Sequence, residues 1–248
     1  MIVLVFGLAW GSFLSVVKNR LDDFASVFLG RSHCPKCRHI LGAFDLIPIL
    51  SFIFLGGRCR FCHAKISLEY PLTEIISAVL IFLVYLKFGI SFRSAILYLS
   101  LSALLVASLL DIDSGEVEVS VLLVGIFLAL IWYFSGGFSL GRLGSLLWAI
   151  LITGGIPFFL YLVSQEKWMG LGDTFFAVWI GILSGYPAAF ASIFLAFLFG
   201  AIFGIIKKAI SGKSQEKIPF GPFLAVAGVI GLFAGTQVIN FYIKLFGF

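Results

Sequence analysis

Residues 94–111 read Ser94-Ala95-Ile96-Leu97-Tyr98-Leu99-Ser100-Leu101-Ser102-Ala103-Leu104-Leu105-Val106-Ala107-Ser108-Leu109-Leu110-Asp111, an uncharged run that stops on a carboxylate. A helix that crosses a bilayer needs about 20 mostly apolar residues, slightly fewer at the short limit. Lipid offers no partner to a free N–H or C=O group, so such a run must be helical. Working outward, comparable runs occupy 1–17, 71–88, 119–135, 143–163, 172–185, 187–206 and 222–246. The breakers fall mostly between them, at Gly89, Gly136-Gly137, Gly185 with Pro187, and Pro219 to Pro222. The sequence therefore predicts an all-α polytopic membrane protein with about eight transmembrane helices.

Composition agrees. Apolar residues make up 61% of the 248, charged residues only 12%, and mean hydropathy is +1.13. A soluble domain of this size carries roughly twice that charged fraction. The 29 Phe suit rings that face lipid or the interface. A net charge of +5 raises nucleic acid as a partner, but the cations sort by membrane side, as loops of membrane proteins do. No nucleic acid is expected. The first run has no basic segment before it and no small-residue cleavage site after it, so it reads as a retained helix.

Residues 18–70 do not fit a span. They hold four Cys, three His and eight Lys/Arg around one short apolar run, Leu46 to Gly57. This segment reads as a small extramembrane domain between the first two helices. Threading the chain through eight spans places Lys18, Arg20, Arg31, Lys36, Arg38, Arg58, Arg60, Lys65, Lys167, Lys207, Lys208, Lys213 and Lys217 on one side. Lys87, Arg93, Arg142 and Lys244 fall on the other. The positive-inside rule makes the first side cytoplasmic, with both termini outside. Cys34-x-x-Cys37 and Cys59-x-x-Cys62 have the spacing of a tetrahedral zinc site. A disulfide pairing is the rival reading, and thiols in the cytoplasm stay reduced, which favours structural zinc. His33, His39 and His63 are expected beside the site rather than in it.

Acidic residues are scarce, twelve in all. Asp111 and Asp113 close one span and Asp173 opens another, in Gly170-Leu171-Gly172-Asp173, on the same predicted side. Acids at the edge of an apolar region are costly unless paired or functional. Two of them could hydrolyse a peptide bond by sharing one proton: one carboxylate deprotonates a water while the other polarises the scissile carbonyl. They could equally be helix-end residues, since an Asp before an apolar run is a standard cap. The spacing leaves both readings open.

Motifs along nearly the whole chain resemble, in order, those of the prepilin peptidase family. They are Gly11-Ser12-Phe13-Leu14, Cys34-Pro35-Lys36-Cys37, Ile47-Pro48-Ile49-Leu50-Ser51, Gly57-Arg58-Cys59-Arg60-Phe61-Cys62, Tyr70-Pro71 with Glu74, Asp111-Ile112-Asp113, Gly170-Leu171-Gly172-Asp173 and Ile218-Pro219-Phe220-Gly221-Pro222. The resemblance implies an aspartyl endopeptidase of the bacterial cytoplasmic membrane. It removes the leader of type IV prepilins or pseudopilins at the cytoplasmic face, after a Gly. Asp111 and Asp173 would be the catalytic pair, with Gly170 and Gly172 in the active-site loop. Glu74 and Asp113 are candidate substrate contacts, and Cys34, Cys37, Cys59 and Cys62 the metal ligands. It also implies methylation of the new N-terminus with S-adenosylmethionine, where that activity is retained. The implied division is 1–17 first helix, 18–70 four-Cys zinc domain and 71–248 membrane-embedded protease. Family usage differs at Ser15, Glu118, Val119 and Phe175, where Asn, a Pro-Asp pair and Lys are common.

Three other readings compete, one of them a catalytically inactive relative retained as an assembly factor. A presenilin-like protease shares Gly-x-Gly-Asp but lacks the four-Cys segment. An ion-coupled transporter would also place Asp in the membrane, and it predicts internal pseudo-symmetry that this sequence does not display.

Overall fold

The computed structural model describes residues 1–21, 23–211 and 218–246. Lys213 and Lys217, sorted above by membrane side, lie outside the described residues. Among those described, all regular structure is helical, with two isolated β-bridges and no strand. The chain divides into two compact units, Met1–Ile90 and Ser91–Phe248.

In the first unit, α1 (Ile2–Asn19) packs along α4 (Glu69–Phe88). Small residues permit the approach, as in membrane helix pairs generally. A side chain at Gly7 would start 2.6 Å from the Ala78 Cα, and one at Gly11 2.6 Å from the Glu74 Cα. The Ser77 hydroxyl donates across the pair to the Gly7 carbonyl at 2.8 Å. At one end of the pair the buried Lys18 forms an ion pair with Glu69. Between these helices lie two short ones, α2 (Phe24–Leu29) and α3 (Leu50–Phe54), and a 3₁₀ turn at Ala43–Leu46. The apolar run from Leu46 is thus a one-turn helix with a turn before it, not a span.

The second unit holds α5 (Phe92–Ser114), α6 (Val119–Phe134), α7 (Leu140–Ser164), α8 (Leu171–Ser184), α9 (Ala188–Ser211) and α10 (Gly221–Phe246). Its centre is α8, which touches α6, α7, α9 and α10 and buries Phe176, Trp179, Ile180, Ile182 and Leu183 almost completely. A helix apolar all round belongs inside other helices. Small residues on the neighbours make room: Gly125 of α6 lies against the Trp179 ring, and Gly228 of α10 against Ile180. The Trp179 indole donates to the Ser100 hydroxyl at 2.9 Å, and that hydroxyl donates to the Gly125 carbonyl at 3.2 Å. All polar groups in this contact are therefore satisfied.

Every run read as a span is a helix, with bounds shifted by a few residues. Six of them, α1, α4, α5, α7, α9 and α10, are long and apolar enough to cross a membrane. The other two, α6 and α8, have 16 and 14 residues and fall short of that length.

Candidate functional site

Asp111 stands in the last turns of α5 and is 6% exposed. Burying a carboxylate requires a compensating donor. The donor is the backbone N–H of Gly221, 2.7 Å from Asp111 Oδ2, at the first residue of α10. The start of a helix presents N–H groups that have no partner inside the helix, so it suits an anion. Gly221 is also sterically fitted: a Cβ there would meet Asp111 Oδ2 at 2.7 Å and the Phe176 ring at 3.0 Å. The sequence placed Pro219 to Pro222 at a helix entrance but gave no sign of this donor, which is a main-chain group 110 residues from its acceptor.

Asp173 occupies the first turn of α8, and its Oδ2 accepts the Gly170 N–H at 3.0 Å. It is half-buried and interacts electrostatically with Asp111. The fold thus brings together two carboxylates from two helix ends, each held by a backbone N–H. Gly170 has φ −84° and ψ 161°, open to any residue, so no special backbone conformation is used. What Gly172 provides is space: a Cβ there would meet nothing within 4 Å.

Asp113 is exposed, as are Glu118, which caps α6, and Val119. Phe175 is half-buried on α8. In the first unit, Glu74 is buried and accepts the Ile49 N–H at 2.8 Å, together with a hydrogen bond from the Ser12 side chain. It therefore links three motif segments, on α1, on α4 and at Ile49, whose backbone has φ +61°. Ser15 is buried and donates to the Gly11 carbonyl at 3.3 Å.

The four cysteines come together on two matching turns. The Cys34 N–H donates to the His39 carbonyl and the Cys59 N–H to the Ala64 carbonyl, at 3.0 and 2.8 Å. One residue of each turn, Arg38 and His63, has positive φ. All four Sγ atoms lie within 4.8 Å of one another, and none is in a disulfide. A tetrahedral ion with Zn–S of about 2.3 Å sets its sulfurs about 3.8 Å apart. Cys34 Sγ and Cys62 Sγ are 3.8 Å apart. Backbone N–H groups of Cys37 and Lys36 draw the Cys34 thiol down to about 6. At Cys37 the His39 N–H acts the same way, but desolvation and the neighbouring sulfurs prevail and push the thiol up to about 11. Crowded thiols resist joint ionisation, and a cation removes that conflict. The donor set therefore fits a metal ion. None of the three histidines joins it: His39 packs against Phe61 with the rings tilted by 31°, and His33 Nδ1 lies 3.3 Å from the Arg31 carbonyl.

Comparison with known proteins matches two family models. Residues 5–88 match the Bacterial Peptidase A24 N-terminal domain, and residues 98–205 the Type IV leader peptidase family. Among curated proteins the chain is similar to three named prepilin leader peptidase/N-methyltransferase. It is 31% identical to that of Stutzerimonas stutzeri, over 97% of this chain and 92% of the relative. The values are 31%, 99% and 93% for Pseudomonas aeruginosa, and 30%, 98% and 98% for Bacillus subtilis. No solved structure matches. Identity of this level over nearly the full length of both chains, together with the two family models, makes this protein a member of the type IV leader peptidase family.

Proposed function

We propose that this chain is a membrane-embedded aspartyl endopeptidase that removes the leader of type IV prepilins or pseudopilins, with Asp111 and Asp173 as its catalytic pair. The observation that carries the proposal is the electrostatic interaction of two carboxylates that the sequence sets 62 positions apart, one in the last turns of α5 and one in the first turn of α8. Family membership supports the reaction class, and the relatives' names supply the substrate.

The chemistry follows from like charges in a confined space. Two carboxylates that share one site hold one proton between them. The ionised one takes a proton from a bound water, whose oxygen attacks the scissile carbonyl. The protonated one donates to the carbonyl oxygen, giving a neutral tetrahedral diol. Collapse of the diol expels the amine, which takes up the proton held by the first carboxylate, while one diol hydroxyl returns its proton to the second carboxylate as the product C=O forms. No covalent intermediate forms, and the reaction uses no metal. The Gly221 N–H fixes Asp111 Oδ2, which restricts the carboxylate to one orientation and lowers the reorganisation needed at each step.

The reading extends to topology. Eight helices would cross or enter the membrane, with α6 and α8 as short members. The excess of basic residues supports a cytoplasmic position for the four-Cys segment and for the helix ends that carry Asp111 and Asp173. On this reading 1–17 is an anchor, 18–70 a zinc domain and 71–248 the protease, in the bacterial inner membrane. The relatives' names also support methylation of the released N-terminal amine, with S-adenosylmethionine as methyl donor.

The test is cleavage of a model prepilin by purified protein in detergent. Asp111→Asn and Asp173→Asn should each lower kcat at least 10³-fold, on the scale of losing a group essential to the reaction. Asp113→Asn should cleave within a few-fold of the wild type. Wild-type rates in either of the first two variants would refute the assignment.

A further inference from the structure

The opposite end of the second unit carries an arrangement that the proteolytic reading does not use. Arg93 opens α5, 18 residues before Asp111, which is about 27 Å along a helix axis. Arg142 lies in the first turn of α7. Both side chains reach the turn after α6. A Cβ built on Gly136 would have Arg142 Nη1 at 2.6 Å, Arg142 Nη2 at 2.7 Å and Arg93 Nη2 at 2.7 Å. The two guanidinium groups therefore meet at one point.

Each is seated on an aromatic ring. The Arg93 guanidinium carbon is 5.2 Å from the Trp132 ring centre, and that of Arg142 is 5.0 Å from the Tyr133 ring centre. Arg142 Nη2 also donates to the Tyr133 carbonyl at 2.6 Å, while the Tyr133 hydroxyl donates to the Arg142 carbonyl at 2.8 Å. Arg93 Nε is buried with no hydrogen-bond partner. Neither arginine forms an ion pair among the described residues. The sequence shows why: it has no Asp or Glu between Glu74 and Asp111, none between Glu118 and Glu166, and none between Asp173 and Glu216. All described acids of this unit, from Asp111 to Asp173, belong to the loops and helix ends at the opposite end of its helices.

Two cations held side by side at a membrane interface, with no carboxylate on their face, lack a counter-charge. The planar fork of a guanidinium pairs bidentately with phosphate oxygens, and two forks side by side match an anion that offers more than two oxygens. We propose that Arg93 and Arg142 form a phosphate-binding site at the helix ends remote from Asp111 and Asp173, of a kind that a phospholipid headgroup or free phosphate fills. Gly136 is part of the site, because a side chain there would displace both forks. The flanking Phe134 and Phe138 rings, stacked at 6.1 Å, are suited to the acyl side of such a headgroup.

The full chain in non-ionic detergent tests this by its thermal unfolding midpoint. The probes are phosphatidylglycerol, phosphatidylcholine, and inorganic phosphate against chloride at equal ionic strength. Phosphatidylglycerol should raise the midpoint by several degrees, and phosphatidylcholine, whose choline offsets its phosphate, by less. An equal rise with inorganic phosphate would identify the free ion as ligand, and a rise with lipid alone the headgroup; both uphold the site. The rise should fall by at least half in the double variant Arg93→Gln/Arg142→Gln and remain in Lys244→Gln, which removes another cation of that face. Gly136→Ala keeps both arginines but wedges them apart, and it too should lose the rise. It decides the matter if the double variant fails to fold. No rise with either phosphate source in the wild type, or an undiminished rise in Gly136→Ala, would overturn the proposal.

Discussion

Gly221 contributes two things to Asp111, a hydrogen and the absence of a side chain. Substituting alanine keeps the N–H but introduces a methyl 2.7 Å from Oδ2, so the carboxylate or the start of α10 has to move. Displacing a catalytic group by a fraction of an ångström costs roughly 10- to 100-fold in rate. Gly221→Ala should therefore lower kcat by about that factor with KM nearly unchanged. A loss seen only in KM would assign Gly221 to substrate binding instead. At this scale the sequence was legible where charge made it so: Asp111 and Asp173 stand out because carboxylates in apolar runs are costly. Gly221 did not stand out, since a main-chain donor leaves no mark on residue identity. Arg93 and Arg142 were visible as cations, but only folding shows that they meet at Gly136.

The helices were legible as elements because lipid permits few alternatives, so every long apolar run had to be a helix. Their lengths in the membrane were less so. With 14 residues, α8 rises about 21 Å, well short of a hydrocarbon core of about 30 Å. It is stable because protein encloses it, and the Gly125–Trp179 contact is central to that enclosure. Gly125→Val would force branched carbons into the indole ring, and overpacking of this kind costs about 1–3 kcal/mol. Unfolding in mixed micelles should show a loss in that range, whereas Gly144→Val, where a Cβ meets nothing within 4 Å, should leave stability within about 0.5 kcal/mol of the wild type. The six-residue helix α2 went unread, since one and a half turns give no periodicity to detect. The two Cys-x-x-Cys turns were read correctly as a cluster, because ligand spacing is a local property. Chelation of the metal, or Cys34→Ser, should therefore expose residues 31–66 to protease while α5 to α10 keep their helical circular dichroism. Unchanged cleavage there after verified metal loss would show that the turns persist unaided.

Across the whole molecule, the donor on Gly221 has a consequence for the order of assembly. The two aspartates belong to α5 and α8, and the group that orients Asp111 belongs to α10, which is synthesised after both. A nascent chain ending before residue 218 already carries both carboxylates, yet it leaves Asp111 without its main-chain partner. Until α10 docks, that carboxylate is free to rotate and to take its hydrogen bonds from water. On the proposed assignment an unfinished chain is a disarmed one: its own translation would act as a safety catch, and neighbouring membrane proteins would be spared a half-built enzyme.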